Sequence, residues 1–109
     1  MRDDLDADRV LDGLPGAELV VPGLRDLAAG RETVPALLVA IAAARLRRQN
    51  LPVADHQFED AELRLYRLLC REEPAGAYER YNALLRRLIS FAHALEREEG
   101  QKIRAARSA

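Results

Sequence analysis

Apolar residues along this chain return every third or fourth position and almost never every second one, so the pattern predicts helices and no strands. From Ala17 to Ala29, Val20, Leu24 and Leu27 fall at i, i+4 and i+7. Pro22 inside that stretch predicts a kink or a late start, and Gly30 a stop. From Val34 to Gln49 the chain is apolar on nearly every side, through Leu37, Leu38, Val39, Ile41 and the alanines around them. A helix of that kind belongs in the middle of a bundle. Thr33 is placed to cap it and Pro35 fits its first turn. Arg45, Arg47 and Arg48 set positive charge at the negative end of its dipole, and Asn50 and Pro52 end it.

A third helix is expected from Asp55 or His56 to Arg71. Phe58, Ala61, Leu65, Leu68 and Leu69 share one face, and Leu63, Tyr66 and Cys70 lie roughly opposite at 3.6 residues per turn. Two apolar faces imply two packing partners: another helix of this chain, and a second copy of the protein across Leu63, Tyr66 and Cys70. The short turn Glu72-Glu73-Pro74-Ala75-Gly76 then predicts an antiparallel hairpin with a fourth helix, from Pro74 to Glu99. Tyr78, Tyr81, Leu84, Leu85, Leu88, Ile89, Ala92 and Leu95 form its apolar stripe, and Gly100 punctuates it. The expected fold is all-α, a compact bundle of three to four main helices. It occupies residues 13–99, between an acidic N-terminus (1–12, with a loose helical turn around Leu5 and Val10) and a basic tail expected to fray (100–109).

Composition narrows the function classes. A chain of 109 residues, 49% hydrophobic and 32% charged, is one ordinary globular domain. Its formal net charge of −1 gives it no overall pull toward nucleic acid or an anionic membrane. The one cysteine, Cys70, has no partner for an intramolecular disulfide and no zinc-ligand pattern around it. The first twelve residues carry Asp3, Asp4, Asp6, Asp8 and Asp12, the opposite of a basic leader, and the longest apolar run, Val34 to Ala44, is too short to span a bilayer. A cytoplasmic protein, with no membrane partner and no cofactor, is the expectation. No metal site is expected: His56 and His93 stand far apart without a companion ligand, and Glu59, Asp60 and Glu62 have no histidine at ligand spacing. The glycines do not form a phosphate loop and stand at apparent turns or helix ends.

Chemistry concentrates on the fourth helix. Asn82, Arg86, Ser90, His93 and Arg97 share the side away from the apolar stripe, and Arg86 and His93 lie seven apart, almost two full turns. Arginine can hold a phosphate while histidine moves a proton. The spacing resembles the R-x4-6-H motif of the HEPN family, helical-bundle proteins that include toxin RNases and partners of minimal nucleotidyltransferases. The resemblance implies a ribonuclease or nucleotidyltransferase partner in which Arg86 (or Arg87) and His93 act together at a dimer interface. The residue after the family's arginine is commonly small and polar, whereas here it is Arg87 or Leu88.

A nucleic-acid surface is the other alternative. Arg45, Arg47 and Arg48 form one basic group. Residues 80–107 hold seven basic residues (Arg80, Arg86, Arg87, Arg97, Lys102, Arg104, Arg107) against three acids (Glu96, Glu98, Glu99). No aromatic platform alternates with them. Cys70 reads as packed and inert, and His56 beside Asp55 as part of a helix start. The preferred reading is a non-enzymatic interaction or structural module that forms a homodimer or binds a protein partner.

Overall fold

The computed structural model describes residue 11, residues 13–55 and residues 58–108, with side chains to residue 98. Among these there are five α-helices and no strand: α1 (Ala17–Ala28), α2 (Val34–Ile41), α3 (Ala43–Arg48), α4 (Ala61–Glu72) and α5 (Ala77–Ser108). A single 3-10 turn, Pro74–Gly76, joins α4 to α5. The expected all-α bundle is what the chain forms. The expected turn of helix around Leu5 and Val10 lies outside the described residues.

The bundle is organised around α2. Ala36, Leu37, Leu38 and Val39 are four consecutive residues with no accessible surface, so every side of this helix is covered. α1 packs along it most extensively, α4 lies against another side, and α5 touches it as well. Phe91 of α5, Leu65 and Leu69 of α4, Leu46 of α3 and Val20 of α1 complete the set of large, fully buried side chains.

The approach of α1 to α2 depends on Gly23. A Cβ built there would lie 2.4 Å from the Pro35 carbonyl oxygen and 2.6 Å from Val39 Cγ2. Gly23 is therefore not at a turn or helix end, as its sequence context suggested, but buried inside α1 at the crossing. Pro22 neither delays nor ends the helix, which runs through it. A second glycine, Gly16, has φ 86° and would meet the Arg87 carbonyl oxygen at 2.8 Å and Phe91 Cβ at 3.2 Å if it carried a Cβ. Only glycine fits that left-handed conformation and that contact together.

The turn between α1 and α2 is pinned by polar contacts at both helix ends. Gly30, with φ 75°, ends α1: its N–H donates to the Leu27 carbonyl, and the Arg31 N–H donates to the Asp26 carbonyl, the double bond pattern of a glycine-terminated helix. Thr33 caps α2 as expected, its Oγ1 accepting from the Ala36 N–H at 3.2 Å. The same hydroxyl donates to Asp26 Oδ2 at 2.8 Å, and Arg31 Nε donates to Asp26 Oδ1 at 3.1 Å. One carboxylate thus ties the end of α1 to the start of α2.

Three boundaries differ from the sequence pattern. The expected helix 34–49 is broken at Ala42 (φ −96°, ψ 11°) into α2 and α3. The alanine run there carries no break signal, and the bend keeps Leu46 fully buried. α4 begins at Ala61, not at residue 55 or 56, because Asp60 adopts φ 52° and interrupts any helix before it. Phe58 still packs on the core from the preceding loop, with the Arg64 guanidinium 5.6 Å from its ring centre. Arg47 holds that loop by donating to the Val53 carbonyl at 3.2 Å and the Ala54 carbonyl at 3.1 Å. Finally, α5 does not stop at Gly100 but continues to Ser108. A mid-helix glycine costs only about 1 kcal/mol, and the flanking Gln101, Lys102, Arg104, Ala105, Ala106 and Arg107 all favour helix.

Across the turn between α4 and α5, Tyr66 meets Tyr81 edge-on with ring centres 5.7 Å apart. The two residues lie at nearly equal distances from Pro74, the register of an antiparallel hairpin. At roughly 1.5 Å per residue α5 is about 48 Å long, which accounts for the 53 Å long axis of the molecule.

Two outcomes follow from this packing. Gly23→Ala gains at most about 1 kcal/mol of helix propensity but drives the new methyl into the Pro35 carbonyl and the Val39 side chain, so the net change is a loss of about 2 kcal/mol, readable as a lower denaturation midpoint. Asp26 is held below the usual carboxylate range, first by the Thr33 hydroxyl, which outweighs an opposing push from burial, and then by Arg31. Its folded-state pKa is depressed, so its contribution is present in full above about pH 4 and is lost as pH falls through the folded value. Asp26→Asn is expected to cost about 1 kcal/mol at pH 7, with the gap from the parent narrowing in thermal melts taken below pH 4.

Candidate functional site

Arg86, Ser90, His93 and Arg97 are all exposed along one side of α5, and Asn82 is half-buried. That side faces away from the buried Leu84, Leu88, Phe91 and Leu95, so the polar stripe expected from the sequence is present. Arg86 makes no hydrogen bond or ion pair among the described residues. His93 acts electrostatically on Glu96 three residues on. Seven residues of helix put Arg86 and His93 roughly 10 Å apart along the axis, and neither lines any of the clefts described below. Arg87, the alternative arginine of the motif, forms an ion pair with Glu18 of α1. It is committed to holding α5 against α1.

Several other arginines of the basic regions are also occupied. Arg45 grips Glu96 at 2.5 Å through Nη2 and 3.2 Å through Nε, joining α3 to α5. Glu96 is held below the usual carboxylate range chiefly by that contact. Arg80 pairs with Glu72 at 2.8 Å, and Arg64 reaches across to Glu32 at 2.6 Å.

The second apolar face of α4 is where the unusual surface lies. The exposed large hydrophobic side chains among the described residues are Leu63 (46% exposed), Tyr78 (68%) and Ile89 (47%). Leu63 and Tyr78 border a cleft of about 430 Å³ with Glu62, Tyr66 and Tyr81. Ile89 borders a neighbouring cleft of about 450 Å³ whose rim again includes Glu62, with Leu85 and Arg48. On the other flank of α4, Leu63, Tyr66 and Cys70 line a groove of about 730 Å³ edged by Arg64, Arg67 and Arg71. The three residues expected to form an interface therefore share one groove.

Within it, Tyr66 is pushed above the ordinary phenol value, chiefly by the neighbouring Cys70 side chain, through charge first and hydrogen bonding second. Burial, and then the Glu62 carboxylate, push Tyr81 upward. Both phenols stay neutral at physiological pH.

Tyr78 and Ile89 belong to the apolar stripe of α5 by spacing, yet both are exposed. Their signal is the breadth of the stripe: eight apolar residues over five turns cover more of the helix than one neighbour can bury. No group of three or more His, Cys, Asp or Glu is placed to hold a metal ion among the described residues. His56 lies outside them. No described helix is long and apolar enough to cross a membrane. Comparisons with protein families, with curated proteins and with solved structures gave no match.

Since Arg86 and His93 are exposed, Arg86→Ala and His93→Ala are each expected to change stability by less than about 0.5 kcal/mol. Superimposable urea titrations would show it, and they would make both variants clean probes of any activity on that side of α5.

Proposed function

We propose that this chain is a non-enzymatic interaction module that works as a homodimer, built on the outward face of the α4–α5 hairpin. The observation that carries the reading is the gathering of Leu63, Tyr78 and Ile89 around clefts that share the rim residue Glu62. Scattered single apolar residues are normal on a protein surface, whereas contiguous ones mark an interaction site. The exposed side of α4 carries an acid, Glu62, on one flank and bases, Arg67 and Arg71, on the other, none of them in an ion pair among the described residues. Mixed charge around an apolar centre suits a surface that meets its own copy, because a two-fold interface must be complementary to itself.

Sedimentation equilibrium tests the reading. The parent chain is expected to run as a dimer at tens of micromolar, and Leu63→Glu, which buries no core atom, to run as a folded monomer. A parent chain that stays monomeric at high micromolar concentration would sink the proposal.

A second reading is favoured by one specific feature. Ile89, three residues after Arg86 and four before His93, is an exposed apolar residue on the adjoining surface of α5. That surface therefore has an apolar anchor beside its polar stripe, as a HEPN-like ribonuclease site shared between two copies would need. The two readings separate by assay: RNA cleavage by the parent chain that both Arg86→Ala and His93→Ala abolish supports the enzyme, and intact RNA rejects it.

A further inference from the structure

On α4 the residues Leu63, Tyr66 and Cys70 are spaced by three and then four, the alternation that lets one helix seat against another along a seam. All three keep accessible surface, while Leu65 and Leu69 of the same helix are fully buried against the rest of the chain. Glu62 precedes the first seam residue and Arg67 follows the second. Those two positions flank the seam on opposite sides, and both side chains are exposed. Neither forms an ion pair among the described residues, although Arg45, Arg47, Arg64, Arg80 and Arg87 around them do.

The flanking charges discriminate between orientations. In a parallel pair of helices, the residue before the seam on one helix faces the residue after the seam on the other. Glu62 of each copy then meets Arg67 of the other, giving two attractive contacts by symmetry. Turning one helix over puts like with like, Arg67 opposite Arg67 and the acidic flank opposite the acidic flank. We infer that two copies of this chain associate with their α4 helices parallel about a two-fold axis, Leu63, Tyr66 and Cys70 forming the seam and Glu62 of each copy paired with Arg67 of the other.

This inference rests on the homodimer reading and adds its geometry. A stable interface needs about 800 Å² from each partner, more than three seam residues supply. Tyr78, which borders the same cleft as Leu63 and Tyr66, widens the contact on the side of Glu62. Parallel alignment also sets equivalent residues across from each other, so Cys70 of one copy lies opposite Cys70 of the second.

Two measurements on the full chain test the arrangement. Glu62→Arg and Arg67→Glu each replace two attractive contacts by two repulsive ones, and each is expected to raise the dimer dissociation constant about tenfold at low salt. The double reversal restores it. Circular dichroism melts establish that the variants fold. Independently, the parent chain exposed to oxidised glutathione, which takes up the two electrons and two protons the thiols lose, is expected to give a Cys70–Cys70 linked dimer. Single reversals that leave dimerisation unchanged, or a dimer that does not cross-link under oxidation, would overturn the parallel pairing while leaving the homodimer reading in place. A monomeric parent chain would overturn both.

Discussion

Everything in this fold follows from the need to cover α2 on all sides. Leu37, Leu38 and Val39 are fully buried, and each contributes about 1.5–3 kcal/mol only if water is excluded from it. A helix with no polar face cannot lie on a surface, so neighbours must close around it. Glycine at position 23 lets α1 come near enough to seal one side, and α4 closes another. α5 is long enough to touch α1, α2 and α4 together, which makes Phe91, the largest of the fully buried side chains, the point where the bundle is closed.

Charge is kept out of that interior and used at its edges. No charged or polar residue is buried among the described residues, and no buried side-chain nitrogen or oxygen there lacks a partner. Three ion pairs instead join parts of the chain distant in sequence: Arg45 to Glu96, Arg64 to Glu32 and Arg87 to Glu18. Exposed pairs of this kind contribute about 0–1 kcal/mol each, so they select the arrangement of elements more than they hold it. They also consume arginines that would otherwise add to a basic surface, which weakens the case for nucleic-acid binding along α3 and the first half of α5.

The fold class was legible because it rests on periodicity. The all-apolar run around Leu37 could only be a central helix, and Thr33 and Gly30 marked its approach correctly. What was not legible depended on contacts between distant residues. Gly23 reads as a turn beside Pro22 until Pro35 and Val39 are seen against it. Asp60 reads as a position inside a helix begun at residue 55 or 56 until its left-handed backbone shows that α4 starts after it. The bend at Ala42 has no local signal at all, since alanine fits either conformation. At the candidate surface, the spacing of Leu63, Tyr66 and Cys70 already set them apart from the core face. The exposure of Tyr78 and Ile89 was hidden because periodicity tells which residues share a side, not how much of that side a neighbour covers.

The two functional readings make different demands on a second copy, and that difference is physical. Arg86 and His93 lie roughly 10 Å apart along one helix and line none of the clefts described above, so a shared reaction site needs another copy of α5 laid across the first. The interaction reading needs the second copy on α4, where the unpaired Glu62 and Arg67 flank an apolar seam. A single two-fold axis cannot pass through both places in a molecule only 27 Å by 21 Å in section unless the interface is broad enough to span the hairpin. Ile89, bordering the Glu62 cleft on one side and the Arg86–His93 stripe on the other, is where such a broad interface would have to be continuous. The exposed isoleucine is thus the residue on which the two readings compete, and the proposed α4 seam leaves it at the rim.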